Sequence, residues 1–183
     1  MANYCWNYAV LSGDKAVLDE IQERFSKYDD FNYFTEFGDY VLKKKTEDDY
    51  KSMTHDKAYI YGTKWWEFDM ERTDITLTIS GDSAWSPPLR LLHLISSEYG
   101  VNIEGEYNEC GMGFGGFFTI EDGCLDDRCM EYFDYQLESD REWAVNDLID
   151  NLSDCDEEFD EDAYPQLNKQ EKEYIKEQLK ERA

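Results

Sequence analysis

Tyr61-Gly62-Thr63-Lys64-Trp65 opens the stretch that decides the fold of this 183-residue chain, and Ser83-Ala84-Trp85-Ser86-Pro87-Pro88 closes it. The stretch holds three of the five tryptophans. Residues 65–70 form a predicted strand, and residues 75–79 alternate isoleucine or leucine with threonine, which is the period of a half-buried strand. The polar link at 71–74 predicts that the two strands form a hairpin. The residues of its second strand that are expected to face the core are Ile75, Leu77 and Ile79.

A helix is predicted directly after this stretch. Ser86 is the expected N-cap, and Pro87 suits the first helical position, where a backbone N–H needs no partner. Gly100 is expected to end the helix, since glycine readily adopts the positive φ found after a last turn. The predicted buried side consists of residues three or four positions apart: Leu89, Leu92, Ile95 and Tyr99.

A strand and a helix are predicted before the stretch. Residues 5–11 are aromatic and aliphatic and end at Ser12-Gly13, which is typical of a buried strand followed by a turn. Asp14 is the expected cap of a helix with one apolar face. Residues 29–57 contain aromatic side chains without a sustained period, and they predict a partly ordered insertion. The apolar face of the helix is formed by Leu18, Ile21, Phe25 and Tyr28.

Two further strands are predicted after the second helix. Residues 101–109 form the first, and residues 114–120 form the second, whose glycines indicate a bulge or a close approach of the backbone. The order strand–helix–strand–strand–helix–strand, with an extra strand, predicts an α+β fold. It is that of a ferredoxin-like antiparallel sheet with two helices on one face. This domain is expected at residues 1–121, and an acidic, largely helical C-terminal extension packed on it is expected at 122–183.

Several motifs stand in a characteristic order along the chain. They are Asn3-Tyr4-Cys5-Trp6-Asn7, the opening and closing motifs of the stretch above, and Tyr107-Asn108-Glu109 with Gly113-Phe114-Gly115-Gly116. Together they resemble the YubB-like ferredoxin-like family of plasmid and bacteriophage proteins. The resemblance covers residues 1–121 and implies a ferredoxin-like fold and a mobile-element origin, but no catalytic residue. The insertion and the acidic tail depart from the compact pattern of that family.

The net charge of −25 limits the kinds of partner that the chain is expected to bind. Like charges repel, so direct binding to a nucleic-acid backbone or to an anionic membrane is not expected. Basic proteins, including those that hold nucleic acid, are favoured as partners, although a merely soluble acidic protein has the same composition.

No apolar run approaches the ~20 residues of a membrane span, and the N-terminus lacks the regions of a signal peptide. The expected location is therefore the cytoplasm of a host cell.

Most of the excess acid is expected in the C-terminal extension. Residues 121–162 contain 18 Asp and Glu against two Arg. An apolar stripe nevertheless predicts a helix from about Asp140 with an acidic outer face. Residues 168–182 predict a final helix, whose start at Asn168 and Glu171 resembles a capping box. That helix either docks on the edge of the domain or serves in self-association as a homo-oligomer. The stripe consists of Trp143, Ala144, Leu148, Ile149 and Leu152.

No motif in the sequence predicts catalysis, so we expect a non-enzymatic protein without a cofactor or a metal. The two histidines, His55 and His93, are expected at the surface or packed, and no signature places a cysteine beside either. The five cysteines have irregular spacing without a Cys-x-x-Cys pair, which argues against structural zinc. Residues 111–116 are rich in glycine, but no helix pattern follows to hold a phosphate. The acidic run 154–162 lacks the glycine and the final glutamate of a calcium loop.

The sequence therefore predicts a phage or plasmid protein that binds and blocks a basic host protein, as an anti-defence or DNA-mimic inhibitor. The partner would be a nucleic-acid-binding protein, because closely spaced carboxylates can approach the one negative charge per ~1.7 Å of duplex DNA. The carboxylates predicted to bind it are Asp126, Asp127, Glu131, Asp134, Glu138, Asp147, Asp150, Asp154, Asp156, Glu157, Glu158, Asp160, Glu161 and Asp162.

An alternative is a nucleic-acid or small-ligand binding module that uses an aromatic face of the sheet. Aromatic side chains stack on bases in RNA-recognition sheets of the same topology. The competing interpretation is that these residues pack in the core, and the lack of a basic groove favours it. The candidate stacking residues are Trp65, Trp66, Trp85, Phe117 and Phe118.

Overall fold

The computed structural model describes residues 3–43, 60–155 and 158–182. Contacts between residues within the chain divide it into two compact units, Met1–Cys129 and Met130–Ala183. The boundary expected at residue 121 lies earlier than this division, because a further strand, Cys124–Glu131, continues the chain after that point. Six of the eight residues of this strand are exposed and four are charged, so it lacks the alternating apolar signal by which a strand is recognised in sequence.

Strands and helices follow one another in the predicted order, with one additional helix before the hairpin. The elements of the sheet and its helices are β1 (Tyr4–Ser12), α1 (Lys15–Phe25), a 3-10 turn (Tyr28–Asp30), α2 (Phe34–Val41), β2 (Trp66–Arg72), β3 (Thr76–Ala84), α3 (Leu89–Tyr99), β4 (Asn102–Glu109), β5 (Phe114–Glu121) and β6 (Cys124–Glu131). The helices that follow are α4 (Tyr132–Ser139), α5 (Arg141–Asp154) and α6 (Lys169–Arg182).

The strands of the described residues pair in one sheet, in the order β2-β3-β1-β4-β5-β6. The ladders of β1 with β3 and β4, of β2 with β3, and of β4 with β5 are antiparallel. The order β2-β3-β1-β4, with α1 and α3 in the crossovers, is the ferredoxin-like arrangement and confirms the predicted α+β class. Two strands extend the sheet beyond β4, where the sequence predicts one.

The main core lies between one face of the sheet and the helices α1, α2 and α3. Alternate residues of β1 are buried, as the period of a strand requires. Asp14 caps α1 as predicted, since its side chain accepts a hydrogen bond from the N–H of Ala16 at 2.9 Å. Each large buried apolar side chain stabilises the fold by about 1.5–3 kcal/mol. The buried apolar residues of β1 and α1 are Cys5, Ala9, Leu11, Leu18, Ile21 and Phe25.

Helix α2 is an ordered part of the insertion predicted at residues 29–57. Phe34, Phe37 and Val41 are buried in the core, and their spacing of three and four residues is that of one helix face. The ring of Phe37 meets the ring of Phe25 edge to face, with the centroids 5.2 Å apart. The helix has only two turns, so its period is too short to stand out in the sequence. Residues 44–57 of the predicted insertion lie outside the described residues.

The β2–β3 hairpin and α3 form where the sequence predicts them, with two corrections. Ile75 lies in the turn before β3 and is 73% exposed, so it does not face the core. Ser86 does not cap α3, because its hydroxyl donates to the carbonyl of Gly62 at 2.6 Å and Pro88 occupies the N-cap position. Gly100 ends α3 with a φ of 66°, as predicted.

Two glycines on the core side of the sheet leave room for aromatic rings. A Cβ on Gly105 would lie 2.8 Å from the ring of Phe118, and a Cβ on Gly116 would lie 2.6 Å from the hydroxyl of Tyr107. The two rings are stacked, with centroids 6.4 Å apart. The close approach predicted for the glycines of β5 is therefore confirmed at Gly116.

The second unit has a small core formed by its own helices and the segment between α5 and α6. Asp140 caps α5 by accepting from the N–H of Trp143 at 3.0 Å, but Trp143 is 50% exposed and does not belong to the buried stripe. Asn168 and Glu171 form the predicted capping box, with reciprocal side-chain-to-backbone hydrogen bonds of 2.8 and 3.1 Å. The buried residues are Leu137, Ala144, Val145, Leu148, Ile149, Leu152, Leu167 and Ile175.

Candidate binding surfaces

The face of the sheet opposite α1, α2 and α3 carries accessible side chains and is called the open face. Alternation along β1 places Tyr4, Trp6 and Tyr8 on it, because the residues between them face the core. Tyr4 is 61% exposed, Tyr8 is 36% exposed, and Trp6 is half-buried. We call these three side chains the aromatic row. Contiguous exposed aromatic surface of this kind marks an interaction site more often than a lone exposed side chain does.

Ring contacts hold the aromatic row in place. The rings of Trp6 and Tyr8 are stacked, with centroids 6.3 Å apart and planes 16° from parallel. The ring of Tyr4 meets the ring of Trp65 edge-on at 5.3 Å. Such pairs stabilise each other by about 0.5–1.5 kcal/mol beyond their buried area. The row is therefore organised before any ligand arrives.

Carboxylates flank the aromatic row on both sides. Trp6 pairs with Asp82 of β3, and Tyr8 pairs with Glu106 of β4. Neighbouring strands lie about 4.8 Å apart, so each of these rings has a carboxylate on the adjacent strand. Register and alternation assign eight carboxylates to the open face: Glu67, Asp69, Glu71, Asp82, Glu104, Glu106, Glu121 and Asp126.

One arginine of the chain also lies on the open face. The guanidinium carbon of Arg128 is 5.4 Å from the centroid of the Phe117 ring, within the range of a cation–π interaction. Phe117 projects to this face because its neighbours Gly116 and Phe118 are buried on the core side. An aromatic ring of this face thus already receives a guanidinium.

Of the aromatic residues that the sequence proposes for base stacking, some are buried in the structure and others are accessible. Trp66 and Phe118 are 0% and 3% exposed, so for these two the core interpretation is correct. Trp65 and Phe117 are half-buried, and Trp85 is 41% exposed. Trp85 also has a φ of 69°, which is unusual for a residue with a side chain. Only part of the predicted stacking set is therefore accessible.

The sequence did not single out the aromatic row. Residues 5–11 predict a buried strand, because nearly every position is aromatic or aliphatic. The signal that separates the faces is the alternation of the large Trp6 and Tyr8 with the smaller Cys5 and Ala9. The small residues pack under α1, α2 and α3, whereas the large rings project to the opposite face of the sheet.

The carboxylates predicted to bind a partner are distributed over both units. Asp126, Asp127 and Glu131 lie on β6. Asp127 accepts a hydrogen bond from the hydroxyl of Tyr107 at 2.7 Å. The predicted residues at 156–157 lie outside the described residues. The remaining members lie on α4, α5 and the connection to α6: Asp134, Glu138, Asp147, Asp150, Asp154, Glu158, Asp160, Glu161 and Asp162.

Cations of α6 offset part of the acid in the second unit. Arg182 Nη1 lies 2.5 Å from Asp150 Oδ1, and Lys176 pairs with Glu161. The hydrogen bond from Lys176 holds the pKa of Glu161 below its usual value. Two of the predicted carboxylates are therefore tied to cations of the same unit, which lowers the charge that they present outward.

Two groups considered for catalysis, His93 and Cys5, have structural contacts, whereas His55 lies outside the described residues. His93 donates from Nε2 to the carbonyl of Gly123 at 2.7 Å. Burial raises the pKa of the Cys5 thiol to about 12, so the thiol is protonated at neutral pH. Within residues 3–43, 60–155 and 158–182, no three His, Cys, Asp or Glu side chains are grouped to hold a metal ion. None of the helices in those ranges has the length and the apolar content of a membrane span.

A family model described as a ferredoxin-like domain in Api92-like protein matches residues 60–162. The match continues past residue 121 through α4 and α5, so the acidic helices belong to the matched region. The crystal structure of a protein Api92 from Yersinia pseudotuberculosis is similar, with a TM-score of 0.43 and 11% sequence identity. That likeness covers 72% of this chain and 98% of the Yersinia chain. No curated protein matches the sequence.

Proposed function

The chain belongs to the family of ferredoxin-like domains in Api92-like proteins, and from that premise we propose that it is a non-enzymatic protein that binds and blocks a basic host protein. The proposal includes a phage or plasmid origin and action in the cytoplasm of the host cell. The partner is a protein that normally holds nucleic acid, such as a component of a host defence system. The chain would then compete with nucleic acid for a basic surface.

The observation that carries the proposal is the excess of carboxylates in both units. Residues 1–129 contain 25 Asp and Glu against 12 Lys and Arg, and residues 130–183 contain 18 against six. The negative field is therefore not confined to the C-terminal extension. A field of one sign steers a partner of the opposite sign and raises the rate of association.

The spacing of carboxylates limits how far the chain can imitate nucleic acid. On β2, Glu67, Asp69 and Glu71 point to the same face about 7 Å apart, the distance between alternate residues of a strand. Duplex DNA presents one charge per ~1.7 Å of its axis. One row of strand carboxylates is less dense than DNA, so the proposed binding draws on several rows rather than on a single line of charge.

The proposal is tested by capture of partners from a nuclease-treated bacterial lysate on the immobilised full chain at low ionic strength. We expect basic, nucleic-acid-binding proteins to be enriched and to be released by 1 M salt, where the Debye length falls to about 3 Å. A captured protein should then lose bound DNA when the free chain is added. That competition is measured by fluorescence anisotropy of a labelled duplex.

The matched control is an unrelated acidic protein of similar size and net charge. Proteins captured equally by both are held by charge alone. If the chain enriches no basic protein beyond that control, or if an enriched protein keeps its DNA, the proposed blocking function is wrong.

A second candidate function is supported by the aromatic row. Tyr4, Trp6 and Tyr8 form an exposed aromatic surface on a ferredoxin-like sheet, which suits base stacking or a small planar ligand. The carboxylates beside the rings oppose a phosphate backbone. A titration with single-stranded RNA that quenches tryptophan emission at micromolar concentration would favour this function, and no quenching would exclude the RNA ligand.

A further inference from the structure

We propose that the open face of the sheet binds an extended, arginine-rich segment of the partner protein. This inference rests on the proposed function and assigns the contact to one surface. The surface consists of the aromatic row on β1 and the carboxylates on the strands beside it. Its occupant is identified by charge complementarity and by the fit of guanidinium groups to aromatic rings.

The pairing of rings with carboxylates is what favours arginine. A guanidinium stacked on Trp6 has Asp82 on the next strand, and one stacked on Tyr8 has Glu106 on the other side. Arginine is planar, stacks on aromatic faces and donates two parallel hydrogen bonds to a carboxylate, whereas the ammonium of lysine is a point charge. The face therefore offers both contacts that distinguish arginine from lysine.

The contact between Arg128 and Phe117 shows the same chemistry within the chain. Its distance of 5.4 Å places a guanidinium over a ring of the open face. Phe117 pairs with Glu106 of β4, so the carboxylate beside the Tyr8 ring lies beside this ring as well. The partner's arginines would repeat, on β1, an arrangement that the face already contains between β5 and β6.

The spacing along β1 favours an extended segment. Trp6 and Tyr8 are alternate residues of one strand, so their positions lie about 7 Å apart. Alternate side chains of an extended peptide have the same spacing and project to the same side. A segment with arginine at every second residue can therefore place consecutive arginines on the two rings.

The binding test uses a fluorescein-labelled peptide of four Ser-Arg repeats and the matching Ser-Lys peptide, each titrated with the full chain at low ionic strength. We expect the arginine peptide to bind at least about fivefold more tightly than the lysine peptide. We expect Asp82→Asn with Glu106→Gln to weaken the arginine peptide about tenfold or more, because both carboxylate partners are removed.

The matched control is Glu23→Gln with Glu98→Gln, which removes the same charge from exposed positions of α1 and α3, on the side of the sheet opposite the open face. We expect it to change the affinity less than about twofold, as for exposed charges beyond direct contact. If the control weakens binding as much as the open-face variant does, or if the open-face variant binds like the natural chain, the inference is wrong. If neither peptide binds the natural chain, the open face does not bind an arginine-rich segment, and the inference is also wrong.

These outcomes separate the inference from the proposed function. A chain that captures a basic host protein equally well with Asp82→Asn and Glu106→Gln keeps the function and loses the proposed surface. A second variant, Tyr8→Thr, removes a ring but retains a residue suited to a strand. It should reduce the preference for arginine over lysine, and an unchanged preference contradicts the stacking contact. Circular dichroism confirms that each variant is folded before titration.

Discussion

The hydroxyl of Tyr107 lies 2.6 Å from the position that a Cβ on Gly116 would occupy. The same hydroxyl donates to Asp127 Oδ1 at 2.7 Å. The Tyr107 side chain therefore crosses β5 at Gly116, which has no side chain, and joins β4 to β6. The side chain of Tyr107 can span the three strands because Gly116 leaves space for it.

We expect Gly116→Ala to lower the free energy of unfolding by about 2 kcal/mol or more, as overpacking of a fixed core does. The added methyl group would also meet the carbonyl oxygen of Arg128 at 2.7 Å, so movement of Tyr107 alone cannot accommodate it. Urea denaturation measures the change. The control Thr119→Ala, at an exposed position of the same strand, should cost less than about 1 kcal/mol. Equal costs for the two variants would contradict the proposed role of Gly116.

The cysteines should differ sharply in reactivity. Cys5 is fully buried, and burial followed by the charge of Glu109 raises the pKa of its thiol to about 12. Thiolates, not thiols, react with aromatic disulfide reagents. At pH 8 we expect the exposed cysteines to react in the folded chain and Cys5 to react only after denaturation. Cys5→Ala provides the assignment, because that variant should show no additional reactive thiol on unfolding. The exposed cysteines are Cys110, Cys124, Cys129 and Cys155.

Stability should fall at alkaline pH for the same physical reason. Burial raises the pKa of Cys5 from 9.0 to about 12 and the pKa of Tyr99 from 10.0 to about 12. The folded chain keeps protons that the unfolded chain releases, so the stability is fully present below pH 9 and is lost as the pH rises toward 12. Each group contributes a slope of up to about 1.4 kcal/mol per pH unit within its window. Urea midpoints from pH 8 to 11 measure the slope.

The Cys5→Ala variant isolates one part of this pH dependence. It should flatten the decline between pH 9 and 10, before Tyr99 ionises in the unfolded chain. A decline that remains as steep in the variant would show that Cys5 does not contribute.

The second unit depends on a bidentate ion pair between α5 and α6. Arg141 donates from Nε and Nη2 to the two carboxylate oxygens of Glu171, at 2.5 and 2.9 Å. The same carboxylate completes the capping box at Asn168. We expect Glu171→Gln to destabilise α6 by about 1 kcal/mol, because the charged hydrogen bonds from Arg141 are weakened, whereas a glutamine can still accept the hydrogen bond of the capping box. Faster amide hydrogen exchange in α6 is the measurement.

The control for this prediction is Glu173→Gln, which removes the same charge from an exposed position of α6. Its contact with Lys169 is 3.7 Å long and 62% exposed on the glutamate side, so the expected change is within about 0.5 kcal/mol. The hydrogen bond from Arg141 lowers the pKa of Glu171 below 4.5. Its contribution is therefore present above pH 4.5 and is lost as the pH falls through the lowered pKa. Identical exchange rates in the two variants would contradict the role of the ion pair.

Local spacing predicted much of the fold. The helix after Asp14 is specified by side chains that recur every three or four residues, and the capping box at Asn168 is specified by two residues three positions apart. Such patterns need no knowledge of distant contacts. The sequence predicted neither the strand β6 nor the short helix α2, because the first has no apolar alternation and the second has only two turns.

The candidate surface was less predictable, because it depends on register. Trp6 and Asp82 are far apart in the sequence, and only the pairing of β1 with β3 makes them neighbours. Sequence alone drew attention to the acidic run near the C-terminus, where charge is dense along the chain. The open face gathers its carboxylates from five strands, so no single segment reveals it.

The two outermost strands of the sheet order, β2 and β6, carry charged side chains along their length. An outer strand offers free backbone donors and acceptors to another copy of the chain, and charge on such a strand discourages that addition. Glu67, Asp69 and Glu71 on one side, with Asp126 and Asp127 on the other, make stacking of copies into a growing fibril unfavourable. We therefore expect the charge on these outer strands to keep a concentrated solution of the protein dispersed.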